Sequence, residues 1–252
     1  MSALAIGGIV FACIFGGALL GMFLSAVVPK HHLSADTKDV VKLMMATLAT
    51  MAALVVGLLI ASAKSSFDGK DAEIRHLATQ VVLLDRTMAE YGPKTQDVRK
   101  LLREIVAMRV HEIWNEDSTV DTIVVRSVPG SIQVILRKLL DLSPVNDPQR
   151  WLQSKALQIV ADIADTRWLL TQQTGRTIPW QFLAILVFWL TMIFASFGMF
   201  APRNGTVMSA LFVCALSMAG SIYLIVEMDQ PFTGLIKLSS APMHSALDQL
   251  DR

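Results

Sequence analysis

Four long apolar runs, at residues 3–28, 40–63, 180–201 and 207–228, constrain this chain more than any other feature. A helix needs about 20 mostly apolar residues to cross a hydrocarbon core about 30 Å thick, and each run meets that length. The first run holds no charged residue, and the second holds only Lys42, near its start. Hydrophobic residues make up 53% of the chain and charged ones 17%. An ordinary soluble domain carries roughly a quarter charged residues, so the composition also points to a membrane protein. No Lys or Arg precedes Lys30 and the first run is too long for a secretory signal, so it is expected to stay in the mature protein.

The ends of the runs carry interface and turn chemistry. Pro29-Lys30-His31-His32 stops the first, and Pro179-Trp180 starts the third, with proline suited to a first helical position and tryptophan to the interface. Pro202-Arg203-Asn204-Gly205 is a tight turn, so runs three and four form one antiparallel hairpin and runs one and two another. Basic residues near the span ends set the orientation. Lys64, Lys70, Arg75, Arg167 and Arg176 lie on the side of the segment between runs two and three, against Lys30, Lys38, Lys42 and Arg203 opposite. That asymmetry favours both termini and the intervening segment in the cytoplasm.

Residues 64–178 read as an inserted helical domain. Ile74, Leu77, Val81, Leu84 and Met88 recur at spacings of three and four, a coiled-coil-like seam on a helix that leaves the second span and ends at Gly92-Pro93. The seam either packs on helices of its own chain or also meets neighbouring subunits. A second amphipathic helix is expected from about 95 to 115, and a short one opened by Pro129 and carrying Ile132, Ile135, Leu136 and Leu139. Residues 118–128 are β-branched in part, but a lone strand would have no partner, so a loop or irregular helix is expected there. Asp147 is the expected cap of a last helix with Pro148 at its first position, and Gly175 its expected C-terminal cap. Two long helices flanking the insert would form a stalk. The domain division is therefore 1–63, 64–178, 179–228 and a tail at 229–252.

Little in the chain points to catalysis. His111-Glu112 begins a zinc-protease pattern, but Asn115 stands where the second histidine is needed. Adjacent His31 and His32 point apart on a helix and read as a solvated pair, so no metal and no cofactor is expected. Phosphate-binding loops, dinucleotide turns and nucleophile elbows are absent. With a formal net charge of +1 there is no electrostatic reason for nucleic acid to bind. Cys13 and Cys214 sit in apolar runs and read as small hydrophobes.

Within the membrane the informative residues are small. Gly17 and Gly21 form a glycine-x-x-x-glycine face that lets another helix approach closely, either within the subunit or between subunits. Ala46, Ala49, Ala53 and Gly57 form a second small-residue face, next to Thr47 and Thr50, which line a pore or bond a neighbouring carbonyl. None of the spans carries a central charge, which argues against proton-coupled transport but not against passive anion conduction.

After the fourth run the chain reads Glu227-Met228-Asp229-Gln230-Pro231-Phe232-Thr233-Gly234, where Pro231 cannot continue a helix, Gly234 permits a turn and Phe232 anchors at the interface. This Asp-x-Pro-Phe-x-Gly pattern resembles the signature of the bacterial bestrophin-like membrane family of unknown function. The stretches 29–38 and 58–68, Tyr91-Gly92, and the helix with Arg99 and Arg103 are similar to that family too. Gln230 stands where the family commonly has Arg. The resemblance implies four spans per subunit, an inserted helical domain and, through the bestrophins for which the family is named, a pentameric anion channel in the inner membrane. The bestrophin pore-neck motif is not found. The chain is thus expected to be all-α, a four-span homo-oligomer in a lipid bilayer that passes chloride or other small anions. The competing expectation is a membrane-anchored scaffold or sensor whose cytosolic helices bind a protein partner.

Overall fold

The computed structural model describes residues 2–27, 35–114, 131–172, 179–202, 204–229 and 234–250. The fold is all-α, and no strand occurs among the described residues. Helices α1 (Ala3–Val27), α2 (Ala35–Tyr91), α3 (Gln96–Trp114), α4 (Ser131–Leu140), α5 (Asp147–Gln172), α6 (Trp180–Phe200), α7 (Gly205–Met228) and α8 (Ala241–Leu250) follow in order, with a 3-10 turn at Pro93–Thr95. Among the described residues, α1, α2, α6 and α7 are long and apolar enough to cross a membrane. The chain divides into two compact units, 1–67 with 176–230, and 68–175 with 231–252.

In the first unit α1 packs against α6 and α7. Its core joins Val10, Ile14, Ala18 and Met22 to Leu186, Leu190, Ile193 and Phe194, and to Leu211, Ala215, Ala219 and Ile222. Glycine makes the α1–α6 contact this close. At Gly17 an added Cβ would lie 2.8 Å from the Thr191 methyl and 2.9 Å from its carbonyl oxygen. At Gly21 it would run into the Ala195 carbonyl, and at Gly198 into the Ala18 carbonyl. Apolar lipid gives packed helices no hydrophobic reward, so backbone approach and dispersion must hold them. Phe11 and Phe15 add a stack at 5.6 Å, and Phe212 meets both edge-on at 5.4 and 5.5 Å.

In the second unit the amphipathic faces of α2, α3, α4, α5 and α8 share one core. It is built from Val81, Leu84 and Met88 with Val98, Leu102, Val106 and Val110, closed by Ile135, Leu139, Ile159, Val160, Ile163 and Leu250. The turn after α2 depends on Gly92, whose φ of 116° lies in a region that side-chain-bearing residues avoid. The buried Thr95 hydroxyl donates to the Met88 and Gly92 carbonyls, which closes the α2 C-terminus that Pro93 cannot extend.

The start of α5 departs from the expected cap. Asn146, not Asp147, caps it: the Asn146 side-chain oxygen accepts from the Gln149 N–H at 2.9 Å, as a cap does for the third helical residue. Asp147 is the first helical residue and turns to Arg150 at 3.1 Å. Pro148 is therefore one position further in. Asn204 plays the same role for α7, accepting from the Val207 N–H at 2.9 Å. Pro29, residues 118–128, Pro129, Gly175 and Arg203 lie outside the described residues.

The glycine contact sets the first prediction. Gly21→Val should lower stability by about 3 kcal/mol, at the upper end of overpacking costs because a carbonyl, not a side chain, blocks the new methyls. Gly8→Val, where an added Cβ meets nothing within 4 Å, is the matched control and should unfold near the parent temperature in detergent. Equal melting temperatures for the two variants would refute the contact.

Candidate functional site

The membrane stretch of α2 is the least enclosed of the four. Only 11% of its most apolar stretch is buried, against 28%, 28% and 33% for α1, α6 and α7. Residues turn by about 100° per position on a helix, which sorts its side chains into faces. One face packs inward through Ala52 and Ala63, with Met45, Leu48, Val55, Val56 and Leu59 against the first unit's core. The opposite side is exposed and has two flanks. Ala46, Thr50, Ala53 and Gly57 share one, and Leu43, Met51, Leu54 and Leu58 the other, all exposed.

The small-residue flank is open as well as narrow. A Cβ added at Gly57 would meet nothing within 4 Å. Ala49 separates from the others, because it is half-buried and packs on the core of its own unit. The Thr47 hydroxyl donates to the Leu43 carbonyl at 2.8 Å and the Thr50 hydroxyl to the Ala46 carbonyl at 3.0 Å. Each hydroxyl donor is thus satisfied within the helix; Thr50 lies on the small-residue flank, whereas Thr47 falls with Met51, Leu54 and Leu58 on the other. Lys42 lies near one end of this flank, 3.4 Å from Asp39, and Lys64 near the other, 5.8 Å above the Phe67 ring.

The glycine pair of α1 belongs to a different environment. Gly17 and Gly21 are buried against α6. The seam residues lie in the second unit: Val81, Leu84 and Met88 are buried in its core, Leu77 packs against that core, and Ile74 is buried. Asp229 is half-buried, and its N–H donates to the Ile225 carbonyl at 3.2 Å. Gly234 has a φ of 125°, which accounts for a glycine at that turn. Gln230, Pro231 and Phe232 lie outside the described residues.

Two features escaped the sequence reading. Glu227 is 3% exposed in the last turn of α7, where composition alone suggests a solvated interfacial carboxylate. The other is a two-point ion pair between α2 and α3. Arg99 Nε lies 2.6 Å from one Asp85 oxygen, and its Nη2 2.8 Å from the other. The Asp85 hydrogen bond raises the Arg99 pKa above its ordinary value, against the lowering from burial. The missed signal was an acid directly after the apolar run 81–84, four residues from Val81 and three from Met88, a position the helix period turns toward the core. Arg167 shows the opposite balance: burial lowers its pKa and nearby Arg109 adds to the effect.

A bestrophin-like domain model matches residues 12–243. Among solved structures, a bacterial bestrophin homologue from Klebsiella pneumoniae matches at 16% identity with a TM-score of 0.62, covering 94% of this chain and 97% of that one. A mutant of the Klebsiella pneumoniae homologue matches at 14% identity with a TM-score of 0.59 over the same shares of both chains. At such identities the likeness is one of fold. No curated relative matches the chain.

The ion pair yields a stability prediction. Asp85 is only 7% exposed at its side chain and Arg99 is 28% exposed. Asp85→Ala should therefore cost about 2–3 kcal/mol, somewhat below the loss for a fully enclosed pair. The double variant with Arg99→Ala should cost clearly less than the two single changes added together. Additive losses in thermal or denaturant unfolding would show that the two groups act independently.

Proposed function

Because the chain belongs to the bestrophin-like family, we propose that copies of it assemble around a central axis in the inner membrane and pass chloride or other small anions. The observation that carries this reading is the exposed side of α2. A helix that leaves most of its membrane stretch uncovered by its own chain calls for other contacts. Its two flanks suit two of them. Leu43, Met51, Leu54 and Leu58 suit lipid or a neighbouring copy. Ala46, Thr50, Ala53 and Gly57 suit a pore wall: narrow side chains leave room, while backbone dipoles and the Thr50 hydroxyl set its polarity. Five copies follow from analogy with bestrophins. In this reading the chain crosses the bilayer as two hairpins, residues 64–178 and both termini are cytoplasmic, and no catalysis is involved.

For the scaffold reading, the seam of α2 is not an open docking surface. Ile74 and Val81 are buried in their own unit, so a partner would have to dock elsewhere in the second unit. The exposed apolar residues there include Val145 at 79% and Trp151 at 65%.

Purified protein in liposomes should release chloride down its gradient and run as a five-fold ring by mass or imaging. Gly57→Leu should leave the ring intact and cut the flux by about tenfold or more, because a ring of leucines narrows and dewets the path. A monomer without flux overturns the proposal, and an unchanged flux in Gly57→Leu removes α2 from the pore wall.

A further inference from the structure

Helix α8 lies in the second unit, where Ala246 and Leu250 are buried and Met243 and Leu247 pack against the core. The Trp114 indole N–H holds the Leu238 carbonyl just before it at 2.8 Å, and Arg86 Nη2 reaches the Gln249 amide oxygen at 3.4 Å. On either side of that Arg86–Gln249 contact runs a groove between α2 and α8. The two differ in charge. One is bordered by the Asp85–Arg99 pair, which offers no free charge, and by Asp248, whose carboxylate disfavours an anion. The other, of about 460 Å³, has no carboxylate and no aromatic ring among its lining residues.

We propose that this second groove binds an aliphatic carboxylate of medium chain length, with its head on Arg86 and its alkyl body along Val82, Leu83, Pro242 and Ala246. Charge selects the head. Arg86 is exposed, and its one partner among the described residues is the neutral amide of Gln249, so most of its fork is free for a carboxylate. Arg75, at the far end, is already engaged by Asp71 at 2.8 Å and adds only its field. The lining selects the body. Without an aromatic platform a nucleobase or aryl ring has nothing to stack on, whereas an alkyl chain is served by the aliphatic floor, where Leu83 alone is 42% exposed. Volume is compatible too, since small-ligand sites begin near about 300 Å³. Because the walls come from both α2 and α8, an occupant would clamp α8 in place.

The clamp gives a readout independent of ion flux. Amide hydrogen exchange across residues 241–250 is followed in the full-length, detergent-solubilised protein with octanoate as the probe. Exchange should slow about threefold when octanoate stands at twice its dissociation constant, by mass action. Arg86→Gln and Leu83→Gln should each abolish the slowing, judged as the ratio with and without octanoate in the same variant. Gln249→Ala removes the same α2–α8 tie but keeps Arg86, so it must still respond. Propionate, which has the head without the body, and octanamide, which has the body without the charge, should both be inert. The site is refuted by slowing that persists in Arg86→Gln, by equal slowing with octanamide or propionate, by loss of the response in Gln249→Ala, or by no slowing at all.

Discussion

A hydrocarbon interior offers the peptide backbone no water, and the rest of this structure follows from that lack. Every N–H and C=O within the spans has to be satisfied inside the protein, which leaves α-helices as the natural form for apolar runs of this length. The same solvent removes the hydrophobic reward for pressing one span on another. Contact must then come from close approach, and here the glycines supply it: Gly17, Gly21 and Gly198 bring α1 and α6 so near that a methyl group would meet a carbonyl.

Helix α2 shows how surroundings change what one regular element can do. Between residues 40 and 63 its exposed side carries small residues on one flank and leucines on the other, while the inward side touches the core through alanine and a few larger residues. Between 74 and 91 the same helix buries Val81, Leu84 and Met88 among soluble-type amphipathic helices, and there water does drive burial. Asp85 sits in that second stretch, where a carboxylate is tolerable only because Arg99 offers both arms of its fork.

Much of the local structure was legible from short-range chemistry. The end of α2 at Tyr91 follows from Gly92-Pro93, and α4 falls on the residues whose apolar spacing marked it. Where two neighbours compete for one role, sequence misjudged. Asn146 and Asp147 both make good caps, and the choice went to Asn146 because it lies just outside the first helical residue with its oxygen over the Gln149 N–H. Glu227 and Asp85 were hidden for a related reason. A charged residue reads as solvated until the positions that surround it in space are known.

By itself, the sequence determined the membrane class, the number of long apolar runs, the helical character of the insert and the positions of its main breaks. Each is a property of nearest neighbours along the chain: run length, period, proline and glycine. Tertiary structure decided which small residues face a neighbour and which face outward. Gly17 and Gly21 press on α6, whereas Ala46, Ala53 and Gly57, with the same spacing logic, stay open and Ala49 turns inward. A spacing of three or four residues says that side chains share a face. Only the packing of the other helices tells what that face meets.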